Sequence, residues 1–177
     1  AEGVAAFTIL GYAVYGYSMI SIGFGQGLTP LVSICWGAKE QKTAMELRRI
    51  MNKVLFTIGV LFAVFFFMFG KQYAGMFGCG NSVAYMVSAG FRFYTVTFLF
   101  MGYDVINSMY FTSCGDALSS ALISSLRGII LLLGFTFLFS ALWGMTGVWL
   151  AAPITEVLTT MVSAGLITKH KKMLESR

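Results

Sequence analysis

Residues 23–38, GFGQGLTPLVSICWGA, close a long apolar run, residues 4–36, that holds no charged side chain, and deliver it to Lys39-Glu40-Gln41-Lys42. In a helix each residue advances about 100°. Gly23, Gln26, Gly27, Pro30, Ser33 and Gly37 then share about a third of the circumference, with Phe24, Leu28, Leu31, Val32 and Cys35 to the other side and Ile34 interrupting the stripe. A small and polar face on so apolar a helix meets either another helix or a water-filled cavity. Gly23 and Gly27 fit the first role as a GxxxG packing pair. Gln26 and Pro30 fit the second.

The rest of the chain extends this pattern. It is 58% hydrophobic and 11% charged, against about 25% charged in a soluble domain. The apolar runs recur along the whole length, so the expected fold is all-α: a polytopic membrane protein of five transmembrane helices, at roughly residues 4–36, 43–69, 83–112, 118–142 and 146–168. The first run would reach about 50 Å as a helix, beyond a hydrocarbon core of about 30 Å. Pro30 and the preceding glycines favour a bend near Gln26–Pro30. Leu47, Ile50, Met51, Val54 and Leu55 make an apolar face on an amphipathic start to the second helix. The glycine-rich stretch at residues 70–82 reads as a loop.

The net charge of +5 is concentrated in two short zones, residues 39–53 and the tail, residues 169–177. That distribution encodes topology and gives no indication of a nucleic-acid partner. Five spans place both zones on one side, which the positive-inside rule makes cytoplasmic. The N-terminus is then expected outside and the C-terminus inside a plasma (inner) membrane. Cys35, Cys79 and Cys114 are odd in number and lack metal-site spacing, so neither a disulfide framework nor a zinc site follows. The start at Ala1 without a methionine or a leader pattern reads as a fragment or a trimmed product. No motif of a hydrolase, nucleotide-binding enzyme or zinc protease occurs, so an enzyme is not expected.

Ionisable groups inside the spans carry the functional expectation. Asp104 lies deep in the third span, where insertion costs about 2.5–3.5 kcal/mol, so it must be protonated, paired or hydrated. Thr97, Asn107 and Ser108 share its face, along with Phe100, and a carboxylate among such oxygens suits Na+ or a transferable proton. The alternative is a structural Asp bonding a neighbouring helix. Glu156, on a face with Thr159, Thr160 and Ser163 and near the helix-weakening Pro153, suits either a cavity or interhelical hydrogen bonds. Arg127 is expected to snorkel to the headgroups, with a salt bridge second. His170, the only histidine, is expected to be a solvated tail residue.

Three segments together resemble the multidrug and toxic compound extrusion (MATE) transporters. Residues 23–38 are similar to that family's G…GQxxxPLVS…GA segment. Ser113-Cys114-Gly115-Asp116-Ala117 resembles its turn of small residues. Gly144-Met145-Thr146-Gly147-Val148-Trp149-Leu150-Ala151-Ala152-Pro153-Ile154 resembles its GxxGVWxAxPI segment. The resemblance implies one lobe of a 6+6 helix fold, the second half without its first helix, whose partner is the missing N-terminal half. It further implies export of cationic, amphipathic compounds by antiport with Na+ or H+. Asp104 falls near a cation-linked acid that some members carry, and Gln26, Pro30, Phe100 and Glu156 are the substrate-cavity candidates. A lipid-linked-oligosaccharide flippase of the same superfamily, and an inactive half-transporter acting as an interaction module, stay open as alternatives.

Overall fold

The computed structural model describes residues 2–175; Ala1 and the tail residues Ser176 and Arg177 lie outside the described residues. Five helices are long and apolar enough to cross a bilayer: α1 (Glu2–Gly37), α2 (Gln41–Gly75), α3 (Asn81–Ser113), α4 (Ala117–Gly144) and α5 (Thr146–Glu175). No strand occurs among the described residues. The chain is an all-α, multi-pass membrane protein.

The central helix is α3, which packs against α1, α2 and the α4–α5 hairpin. Its buried side is aromatic at one end, where the Phe66 ring of α2 stacks on Phe91 and Phe98 with centroids 4.6 and 5.7 Å apart. At the other end Ile106, Tyr110 and Phe111 pack with Leu28, Val32, Leu55 and Ile167. Helix α4 is the reverse case. Leu118, Ile129, Leu133, Phe137, Leu142 and Trp143 on it are all exposed, an apolar surface that only lipid or further protein can cover.

Residue chemistry at the turns fixes where each helix stops. Lys39, with φ 61°, ends the turn after α1. Gly115, with φ 80°, ends α3, and Asp116 then caps α4 by accepting from the backbone N–H and the hydroxyl of Ser119 at 3.1 and 2.7 Å. Gly144 (φ 57°, ψ −131°) makes the α4–α5 reversal in a backbone conformation that residues other than glycine rarely adopt. The Asp116 carboxyl is held below its ordinary value chiefly by the Ser119 hydroxyl. Its stabilising effect is therefore present above about pH 4 and is lost as the pH falls below that value. Asp116→Ala is expected to cost about 1 kcal/mol at neutral pH, read as a lower thermal midpoint that converges with the parent's in acid.

Several expected boundaries shift. Helix α2 runs on to Gly75, so the loop after it is confined to residues 76–80. The bare Gly70 lets the Phe91 ring approach to where a Cβ would stand, 2.8 Å away, and this packing outweighs glycine's weak helix propensity. Helix α1 continues through Pro30 for 36 residues, about 54 Å, with the Thr29 hydroxyl donating to the Gly25 carbonyl at 3.0 Å. Helix α5 absorbs the tail as far as Glu175, which corrects the expectation for His170. That ring is buried, stacked on Trp36 at 5.5 Å and edge-on to Tyr110 and Phe111.

The apolar face read at the start of α2 is divided in the fold. Leu55 is buried and Leu47 and Met51 pack partly against the same core, whereas Ile50 and Val54 are exposed and the charged Arg48 is buried beside Ala44 and Met45. In a bilayer the exposed Ile50 and Val54 can face lipid, while Arg48 is held inside by Asn107.

Candidate functional site

Asp104 is fully buried on α3, and its carboxylate faces α5. The Thr160 hydroxyl donates to Asp104 Oδ2 at 2.8 Å. Asp104 Oδ1 is buried without a hydrogen-bond partner. Asp104 is one of the residues around a cavity of about 450 Å³ between α1, α3, α4 and α5, together with Thr97, Ser108, Arg127, Thr155 and Glu156. Met101, Val105, Met109, Ile123 and Leu132 supply apolar wall. The mixture of a few polar groups on an apolar lining is that of a small-molecule site, and the methionines give it adaptable sides.

Across the cavity Arg127 and Glu156 form a salt bridge, Nε to Oε1 at 2.9 Å. This corrects the expectation that Arg127 snorkels to the headgroups. Its place in a π-helical turn, Leu126–Ile130, points it at α5, and π turns recur at functional sites. The other carboxylate oxygen, Glu156 Oε2, is buried and bare, as are the hydroxyls of Thr97 and Thr155. Ser108 is engaged locally, its hydroxyl 2.8 Å from that of Ser124 and 3.1 Å from that of Ser120.

Asn107 belongs to a second buried polar cluster. Its Oδ1 accepts from Arg48 at 2.8 Å and its amide donates to the Ser163 hydroxyl at 2.9 Å. The Arg48 guanidinium also sits 5.7 Å from the Tyr110 ring centroid. Asn107 thus ties α2, α3 and α5 together, away from the cavity lining. Phe100 is half-buried on α3 and is not among the lining residues. Pro153 is buried within α5.

Gln26, Pro30, Gly23 and Gly27 are exposed. A Cβ added at Gly23 or Gly27 meets nothing within 4 Å, whereas one at Gly25 comes to 2.9 Å from Met109. Within this chain α1 therefore seats itself on α3 through Ser21, Gly25, Leu28 and Val32, all buried. The small and polar stripe turns outward.

The MatE family model matches residues 1–138. The chain belongs to the MATE family. One curated relative, the multidrug export protein MepA of Staphylococcus aureus (strain bovine RF122 / ET3-1), is 21% identical over 163 residues, which is 90% of this chain and 35% of MepA. Two solved MATE structures share the fold. One is a MATE protein in a bent conformation, with TM-score 0.85 and 19% identity over 99% of this chain and 39% of that one. The other is an outward-facing multidrug resistance MATE transporter of the MOP superfamily, with TM-score 0.84 and 17% identity over 99% of this chain and 42% of that one. The chain thus spans well under half the length of each.

Two polar residues of the MATE cavity and its neighbouring cluster escape a reading of helix faces. Thr155 precedes Glu156, so it lies about 100° away around α5, yet both line the cavity. Arg48 sits in a run of basic residues that reads as interfacial. The only signal of its burial is its i, i+3, i+4 spacing from Ala44 and Met45.

Proposed function

We propose that this chain is the C-terminal lobe of a secondary transporter that exports cationic, amphipathic compounds by antiport with Na+ or H+. The observation that carries this reading is the bare, buried Oδ1 of Asp104 on a cavity wall within apolar helices. An acid so placed is expensive in a bilayer and needs a proton, a cation or a charged substrate to neutralise it. The donors present suit either coupling ion. Asp104 Oδ1 alone suffices for a proton, and the unpartnered hydroxyls of Thr97 and Thr155 are the hard oxygens that Na+ accepts.

The apolar, methionine-containing wall suits the body of an amphipathic ligand, and the acids suit its charge. A flippase for anionic lipid-linked sugars would need cations facing the cavity. Arg127 alone lines it among the described residues, and Glu156 already meets that charge. The exposed stripe of Gln26, Pro30 and Ser33 would face the N-terminal lobe, and rocking of one lobe against the other would alternate access to the cavity. By the distribution of Lys and Arg, the ends at Lys39 and Lys169 would be cytoplasmic.

The test is ethidium movement in proteoliposomes that contain the full transporter. The dye should move against an imposed Na+ or pH gradient and stop when an ionophore dissipates it. Movement that ignores both gradients would overturn the antiport reading.

A further inference from the structure

We infer that Arg127 sets the charge of the substrate: by occupying one of two acids in the cavity it limits the site to one positive charge at a time. The inference rests on the cavity being the transport site. Its described lining carries three formal charges, the acids Asp104 and Glu156 and the base Arg127. Glu156 and Arg127 both act on Asp104 through space. With both acids ionised, two negative charges stand against one positive. One monovalent cation, organic or inorganic, or one proton brings the cavity to neutrality. A second positive charge leaves an excess that buried surroundings penalise heavily. Arg48, which is buried, is outside this count, because it stands behind Asn107 with its guanidinium on that amide and the Tyr110 ring.

The geometry separates the two acids by role. Asp104 leaves Oδ1 without a hydrogen-bond partner and is met by hydroxyls alone, those of Thr160 and Ser163. Glu156 is held by a guanidinium that its own chain supplies, with side-chain exposures of 23% for Arg127 and 8% for Glu156. The bond is to Nε alone, so Glu156 Oε2 stays buried without a partner while the guanidinium compensates the charge of the carboxylate. Arg127 is in effect a resident organic cation occupying the second subsite.

Ethidium and propidium share a ring system and differ by one quaternary charge, which makes them the probes. Binding of each dye to the purified full transporter, followed by dye fluorescence, needs no transport. The parent should bind ethidium about tenfold or more tightly than propidium. Arg127→Gln releases Glu156 and should shift the propidium-to-ethidium affinity ratio about tenfold or more toward propidium. Glu156→Gln leaves the guanidinium facing Asp104 and should weaken ethidium about tenfold or more. The double variant removes both partners and should recover the parent's preference for the monocation, which a merely structural salt bridge would not do.

A ratio that is the same in all four proteins overturns the proposal, and so does a double variant no better than the singles. Loss of gradient-driven ethidium export in the parent would sink the transport reading separately, while the binding ratios would still report on the charge count.

Discussion

Asp104→Asn is expected to abolish ion-coupled export while leaving the lobe folded. The substitution keeps the size and planarity of the side chain, and an amide oxygen can still accept from the Thr160 hydroxyl that now bonds Oδ2 at 2.8 Å. What it removes is the negative charge and the capacity to take up a proton or cation. Removing one member of a buried charge pair costs about 3 kcal/mol or more, which is about a hundredfold in affinity for the ion or the cationic substrate. The thermal midpoint should hold or rise, because a buried carboxylate that lacks a fixed countercharge is a burden on the fold. Ethidium export in proteoliposomes with an imposed Na+ or pH gradient, set beside thermal unfolding of the same preparation, reads both effects. Unchanged export with unchanged ion dependence would remove Asp104 from the coupling machinery.

The prominence of Asp104 was legible because a charged residue among Phe98, Leu99, Phe100, Met109 and Tyr110 has few reasons to be there. Helical periodicity also put Thr97 and Ser108 on its face, and both line the cavity. Periodicity describes one helix, however, and is silent about the register of its neighbours. Asn107 shares the face of Asp104 in projection, yet one turn along α3 the neighbour is Arg48 of α2, and the amide is spent there. Arg127 and Glu156 lie 29 positions apart on opposite arms of the α4–α5 hairpin, so no local pattern announces their pairing.

The helix ends slipped for a related reason. Residues 70–75 and 169–175 look like a loop and a tail by composition, but packing of Gly70 on Phe91 and of His170 on three rings keeps the helices going. The opening stripe was the converse case. Its small residues were visible in the sequence, and the structure shows that this chain leaves them uncovered while Gly25, beside them, does the packing.

Gly59→Val is expected to dismantle the three-helix core of α1, α2 and α3. A Cβ built on Gly59 runs into the backbone carbonyl of Phe98 and comes within 2.8 Å of Tyr17 Oη. The carbonyl belongs to α3 and cannot turn aside, so relief requires α2 and α3 to separate. Tyr17 cannot yield cheaply either. It is fully buried, its hydroxyl donates to the Leu55 carbonyl at 3.0 Å, and its ring packs edge-on against Phe98 at 5.6 Å. Gly102, on the facing side of α3, is just as closely approached by the same hydroxyl, so the three helices meet at one tyrosine through two bare Cα atoms.

Valine should therefore cost about 3 kcal/mol or more, the upper end for an overpacked core, with alanine less severe but in the same direction. Gly11→Ala is the matched control, since a Cβ there meets nothing within 4 Å. Thermal unfolding of the full transporter should rank Gly11→Ala at or above the parent, Gly59→Ala below it and Gly59→Val lowest. A Gly59→Val midpoint equal to the parent's would mean that α2 and α3 do not approach as closely as the Gly59–Phe98 contact requires. Asp104, which α3 carries into the cavity six residues beyond Phe98, would then need a different placement.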